Sequence, residues 1–188
     1  MVRGWRRLAL LSGALVVLCT GLPPGAARSG ETDGFVGSGA WELGFNGAVI
    51  SREGAVTSTL SLFTNRFWVR GTVPLSAGAS LAYSRVSDLD RVDLEGLAAA
   101  YKQLTESSAY VYIGVAGGLS QERVGSFSQA RYPFGLDAGI KAFISRRAAV
   151  TVTYQFRRFL NDPVADFNEH RFVAGLSIML NNGRDDPR

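Results

Sequence analysis

Apolar and polar residues alternate with a period of two along most of the chain after residue 40. The clearest stretch covers residues 149–157, where Val150, Val152, Tyr154 and Phe156 fall on one face and the residues between them on the other. Successive side chains of a β-strand point to opposite faces of the sheet, so this period predicts a strand with two chemically different sides.

Four further stretches alternate as clearly. Their apolar positions are Trp41, Leu43, Phe45 and Val49; Val111, Ile113 and Val115; Phe134, Leu136, Ala138, Ile140, Ala142 and Ile144; and Phe172, Ala174, Leu176, Ile178 and Leu180. Three weaker stretches cover residues 56–71, 77–86 and 92–103. The first loses its phase near Thr64 and Asn65, which predicts a β-bulge there. In the last, residues 97–101 fit one or two helical turns equally well. The pattern predicts eight strands, an even number as a single-chain membrane barrel requires.

Polar breaks between the stretches predict a hairpin meander. One set covers residues 73–76, 105–108 and 145–147, and the alternate set covers residues 51–54, 87–91, 121–131 and 161–168. With both ends of the chain in the periplasm, the first set would form periplasmic turns and the second would face the outside.

The first 27 residues have the composition of a cleavable export signal. Arg3, Arg6 and Arg7 precede an apolar run over residues 8–22, and Ala27 ends a small-residue cleavage site. The run is shorter than the ~20 residues that a membrane-spanning helix needs. We therefore predict a signal peptide over 1–27, a short periplasmic segment over 28–40, a barrel over 41–180 and a short polar tail over 181–188.

The charge balance changes once this leader is set aside. The chain has 20 Lys and Arg against 16 Asp and Glu. Removing the three leader arginines leaves 17 against 16, so the pI near 9.6 gives no reason to expect nucleic-acid binding. The single cysteine, Cys19, lies in the leader. The remaining chain therefore offers no disulfide and no thiol chemistry.

The two faces of the predicted strands differ in a way that favours a membrane barrel. One face is aliphatic with aromatic residues near the strand ends, as in an interfacial girdle; the other carries Gly, Ser, Thr and charges of both signs. We predict a polar network filling a small lumen, made of Glu42, Asp137, Lys141 and Arg157. The alternative is a soluble, lipocalin-like periplasmic carrier, in which the apolar face would line the interior.

This pattern resembles the eight-stranded outer-membrane β-barrel superfamily of OmpA-like and OmpX-like barrels. The stretches that carry the resemblance are residues 41–45, 69–85, 109–118, 143–159 and 172–180. The resemblance implies an all-β, antiparallel, up-and-down transmembrane barrel in the outer membrane of a Gram-negative cell. It also implies signal-dependent export and insertion by the outer-membrane assembly machinery, which reads the final strand. That strand usually ends the family's chains on an aromatic residue, whereas Leu180 stands here and eight residues follow.

The sequence favours a non-enzymatic role. The only histidine, His170, has no serine at a diagnostic spacing, and the His-x-Ser arrangement of lipid A deacylases is absent at residues 170–172. We expect no catalytic residues, metal or cofactor, and a structural or membrane-interaction role, with a lipid-A-modifying enzyme as the alternative. Arginines at the predicted outer rim are candidates to contact lipopolysaccharide phosphates. They are Arg52, Arg91, Arg123, Arg131, Arg158 and Arg171.

Overall fold

The computed structural model describes residues 36–52, 55–86, 89–104, 107–160 and 167–181. The predicted leader, most of the 28–40 segment and the tail beyond residue 181 lie outside the described residues. Eight strands are present: β1 (Trp41–Arg52), β2 (Ala55–Arg70), β3 (Val73–Val86), β4 (Leu89–Gln103), β5 (Ala109–Val124), β6 (Phe127–Phe143), β7 (Ala148–Leu160) and β8 (Phe167–Asn181).

The strands form one closed antiparallel barrel. Each strand pairs with the next along the chain, and β8 pairs with β1. This confirms the predicted fold class. Among the described residues there is no helix that is both long enough and apolar enough to cross a bilayer. We call the end at which the barrel begins and finishes, near Trp41 and Asn181, the terminal end, and the opposite end the loop end.

The outer surface is apolar, and the interior is polar except at the terminal end. Leu62 is 59% exposed, Ile113 63% and Phe172 63%, and all three lie on the outward face. Inward-facing positions between them hold buried charged and hydroxyl side chains. This is the arrangement of a membrane barrel and the inverse of a lipocalin-like carrier, whose interior is apolar.

Two of the weak stretches are regular strands. The β2 register runs without a shift against both β1 and β3, so the bulge predicted near Thr64 is wrong. The phase looked broken because Phe63 and Phe67 face inward while Thr64 and Arg66 face outward. Residues 97–101 belong to β4 and pair with β5 throughout, which excludes the helical alternative.

Two predicted breaks lie within strands. The first terminal-end turn is at residues 71–72 rather than 73–76; Pro74 belongs to β3, whose pairing with β4 starts only at Leu75. Residues 121–131 are not a loop, because β5 continues to Val124 and β6 begins at Phe127. Most of these residues are polar whichever face they occupy, so the sequence shows no alternation of apolar and polar positions here. Gly125, at φ +57°, supports the turn between the two strands.

The terminal end of the interior is filled by an apolar cluster. Its buried members are Val36, Ala40, Phe67, Tyr101, Tyr110, Phe143, Ala149 and Met179. Phe67 packs against Tyr101 with ring centroids 5.5 Å apart, and Tyr110 meets Phe143 edge-on at 5.8 Å. Rings contributed by four strands therefore close this end of the lumen.

Candidate functional site

The lumen holds two separate groups of buried charge. The larger, which we call the loop-end network, consists of Arg91, Asp93, Glu95, Asp137, Arg157, Glu169 and Arg171. The smaller, the terminal-end pair, is Glu42 with Lys141. Each group joins strands that are not neighbours in the sheet, so both cross the lumen rather than follow its wall.

Four side chains of the loop-end network form a ring. Arg91 binds Asp93 through two nitrogens at 2.8 and 2.7 Å, and its Nη1 donates to Glu169 at 2.6 Å. Arg171 closes the ring from the other side: its Nε donates to Glu169 at 2.5 Å and its Nη2 to Asp93 at 3.1 Å. Each carboxylate is thus held by two guanidinium groups, in charge-assisted hydrogen bonds that suit the planar arginine head.

Arg157 extends the ring towards the middle of the barrel. Its Nε donates to Glu95 at 2.9 Å and its Nη1 to Asp137. Glu95 also accepts from Arg171 at 3.2 Å, which connects Arg157 to the ring. Arg157 is fully buried, so its charge depends on these carboxylates for compensation.

The strand alternation explains why these groups meet. In β4, Arg91, Asp93 and Glu95 take every second position and face inward, while Val92 and Leu94 face outward. In β8, Glu169 and Arg171 do the same. Because β4 and β8 lie on opposite sides of the closed sheet, their inward charges meet across the lumen.

The terminal-end pair is surrounded by rings. Lys141 Nζ lies 2.5 and 2.6 Å from the two oxygens of Glu42, and Asn65 donates to Glu42 Oε2 at 3.0 Å. The Lys141 ammonium also lies 5.2 Å from the Phe67 ring centroid and 5.5 Å from that of Tyr101. The pair is thus satisfied by one amide and by aromatic faces, with the apolar cluster beside it.

Small cavities lie between the charged groups, and two of them are bordered by described residues only. One of about 60 Å³ is bordered by Asn65, Tyr101 and Lys141 on the terminal side. The other, of about 40 Å³, is bordered by Asp93, Glu95 and Arg171 on the loop side. A water occupies roughly 10–15 Å³ measured with a water-sized probe, so these spaces fit a few waters each. Asn46 and Gln155 line both cavities.

The four residues predicted to form the lumen network all face inward, but they divide between the two groups. Glu42 pairs with Lys141, and Asp137 pairs with Arg157. The sequence analysis missed the acidic residues Asp93, Glu95 and Glu169. The signal was present, since charged and apolar residues alternate strictly over residues 91–95, and Glu169 and Arg171 continue the polar phase of the final strand, in which Phe172 begins the apolar phase.

The arginines predicted at the outer rim fall into a buried set and an exposed set. Arg91, Arg131 and Arg171 are buried inside the barrel, so their prediction as rim contacts is wrong. Arg131 pairs with Glu122 at 2.5 Å. For Arg91 and Arg131, the predicted loops at 87–91 and 121–131 were set too wide, so inward strand residues were taken for exposed loop residues. Arg171 was predicted to begin the final strand, and there it faces inward. Arg123 and Arg158 are exposed near the loop end. Arg52 ends β1, and its side chain lies outside what the structure describes.

His170 lies on the outward face near the loop end. Its Nδ1 is 2.6 Å from the Tyr154 hydroxyl, and its ring contacts Phe156. Ser51 is its register partner on β1, yet no hydrogen bond joins the two side chains and none of the described carboxylates binds the imidazole. Likewise, no group of three or more residues suited to hold a metal ion occurs in the described part of the chain.

Comparison with known proteins identifies the fold. No family model matches the chain, and no curated protein matches it in sequence. The solved structure of Neisserial surface protein A matches with a TM-score of 0.55 and 14% identity, covering 75% of this chain and 97% of that one. The N-terminal β-barrel domain of Pseudomonas aeruginosa OprF (TM-score 0.48, 10% identity, 74% and 97% covered) and the outer membrane enzyme PagL (0.49, 14%, 72% and 98%) are also similar. The chain has the fold of small eight-stranded outer-membrane barrels.

Proposed function

We propose that this protein is a non-enzymatic outer-membrane barrel with a sealed lumen, acting as a structural element or through its contacts with membrane and surface. The observation that carries the proposal is the loop-end network. It spans the interior between β4 and β8, and each of its three guanidinium groups binds at least two carboxylates. Such a set of paired charges fills a cross-section that a pore would have to leave open.

The two described cavities support the same conclusion. The cavities of about 60 and 40 Å³ are too small for a sugar or an amino acid. Opening a continuous path would separate buried ion pairs, and a buried charge that loses its partner costs about 3–5 kcal/mol. The apolar cluster adds a second barrier at the terminal end.

Solute flux tests the proposal. Purified protein is reconstituted into liposomes, and uptake of a small sugar is followed by liposome swelling. We expect the swelling rate of protein-free liposomes. Uptake that rises in proportion to the amount of folded protein would contradict a sealed lumen. Folding is checked in each preparation by the heat-dependent shift of the band in gel electrophoresis that a closed barrel shows.

We further propose export by the predicted leader, insertion by the outer-membrane assembly machinery and contact with lipopolysaccharide at the loop end. Arg123 and Arg158 are the exposed arginines that support the last point. Cell fractionation tests location: we expect the heat-modifiable band in the outer-membrane fraction. Recovery of the band in the soluble periplasmic fraction would overturn the membrane assignment.

Lipid A modification is the second candidate, because Ser51 lies directly across from His170 on the outward face. A serine nucleophile needs the imidazole within hydrogen-bond reach, and no hydrogen bond joins the described side chains of Ser51 and His170. The non-enzymatic proposal predicts that cells expressing His170→Ala and cells expressing the wild type yield the same lipid A mass spectrum. A change in acylation that needs both His170 and Ser51 would favour the enzyme.

A further inference from the structure

Arg66 occupies an unusual position on the outward face near the terminal end. It is the register partner of Trp41 in β1, and Trp68 follows two residues later on the same face of β2. The guanidinium carbon lies 5.6 Å from the Trp41 ring centroid and 6.0 Å from that of Trp68. One cation is therefore in contact with two indoles on a surface that faces lipid.

The guanidinium of Arg66 has no acidic partner among the described residues, unlike the arginines of the loop-end network. Its Nε is buried and makes no hydrogen bond. A planar cation in contact with aromatic faces still presents its N–H groups at the edge, where they can donate to oxygen. These N–H groups suit an anionic oxygen as their acceptor.

The described rim of the terminal end is basic, with Arg70 on the same strand as Arg66 and the other cations spread around the barrel. Arg70, Lys102, Arg146 and Arg147 are all exposed around the terminal end. The only carboxylate among the described residues of this end is Glu42, which is buried and paired with Lys141. Among the described side chains of this end, an anion that approaches from the membrane surface therefore meets exposed positive charge and no exposed carboxylate.

We propose that Trp41, Arg66 and Trp68 form a binding site for the phosphate of an anionic phospholipid in the periplasmic leaflet. Indole rings lie at the level of the headgroups in membrane proteins, which places the guanidinium at the depth of the lipid phosphate. The acyl chains then lie along the apolar outer surface of β1 and β2. The inference depends on the proposed function only for the membrane location and for the terminal end facing the periplasm.

The tryptophans themselves report on this site. The chain has three, and the third, Trp5, is in the predicted leader. In a Trp5→Phe background, every tryptophan signal comes from Trp41 and Trp68. The folded protein is reconstituted into phosphatidylcholine vesicles that contain a low, fixed fraction of brominated phosphatidylglycerol or of brominated phosphatidylcholine. Bromine on the acyl chains quenches the fluorescence of nearby indoles.

We expect brominated phosphatidylglycerol to be enriched about fivefold over brominated phosphatidylcholine around the two tryptophans, which corresponds to about 1 kcal/mol for one basic residue. Arg66→Gln should abolish the enrichment. Arg66→Lys should retain part of it, because the charge remains but the planar head is lost. Arg70→Gln is the matched control: it removes the same charge from an exposed position on the same face of β2, and should leave most of the enrichment.

Equal quenching by the two lipids in the wild-type background would overturn the site without any variant. Equal losses in Arg66→Gln and Arg70→Gln would also overturn it, since the attraction would then belong to the basic rim as a whole. Every sample must show the heat-modifiable band in gel electrophoresis, which establishes that the barrel is folded. Failure of the site in a folded, inserted barrel is thus distinct from failure of the proposed function, which would appear as protein that does not insert.

Discussion

The two halves of the lumen are closed by different chemistry. At the loop end, the described network sets three arginines against four carboxylates in crossing ion pairs. At the terminal end, aromatic and aliphatic side chains fill the space around a single Lys141–Glu42 pair. A charged filling requires a partner for every group, whereas an apolar filling requires mainly matching shape. The same alternation of strand residues accommodates both.

The largest effect is expected at Arg157. Arg157→Ala leaves Glu95 and Asp137 short of a buried cation, so the free energy of unfolding should fall by about 4 kcal/mol. Arg157→Lys should recover little, because an ammonium cannot reproduce the forked hydrogen bonds. The measurement is urea unfolding in phospholipid vesicles, followed by tryptophan fluorescence. Arg158→Ala is the matched control, since the next arginine along the chain faces outward and is exposed. Equal effects at both positions would contradict the network's role.

Phe67 tests the apolar half. Phe67→Ala should lower the free energy of unfolding by about 3 kcal/mol, because the side chain is fully buried against Tyr101 and leaves a cavity. Phe67→Leu, which keeps much of the volume, should cost about 1 kcal/mol in the same assay. The contrast between a tolerated conservative change here and a costly one at Arg157 is the measurable difference between the halves. A large loss of unfolding free energy in Phe67→Leu would contradict this difference between the two halves.

The smallest effect is expected for the coupling within the terminal-end pair. Lys141→Met leaves Glu42 buried with Asn65 as its remaining described partner. Adding Glu42→Gln removes the uncompensated charge. The double variant should therefore be more stable than Lys141→Met by about 1 kcal/mol, as read from the same unfolding curves. A double variant whose loss is the sum of the two single losses would show that the two side chains act independently.

The same contrast explains which parts of the fold were predictable from sequence. Where polar lumen residues alternate with apolar lipid-facing ones, as in β7 and β8, the strand and its two faces followed directly from the period of two. Where the lumen is apolar, both faces carry similar residues. This is why Phe63 and Phe67 made β2 look interrupted, and why residues 97–101 of β4 fitted a helix as well as a strand.

The candidate site was predictable only in part. Glu42 and Lys141 were correctly placed on inward faces, but they are 99 positions apart in the chain, and their pairing depends on the register around the whole barrel. Arg91 and Arg171 were assigned to the rim because β4 and β8 begin several residues before their first apolar outward-facing residue. The polar residues at these strand ends resemble a loop in composition. In these loop-side parts of the strands, composition does not distinguish a strand from a loop. Only the alternation of charged and apolar residues over 91–95 indicated that Arg91 belongs to a strand and faces inward.

The pairing of β8 with β1 has a consequence for the order of folding. Every other ladder in the described barrel joins strands that follow each other in the chain and can form as hairpins, whereas this one joins the first strand to the last. Glu169 and Arg171, which complete the ring across from β4, are carried by that last strand. The strand that closes the sheet therefore also carries two members of the ring. A chain in which β8 has not yet paired with β1 has two unpaired strand edges, the feature of a sheet that favours association with other chains.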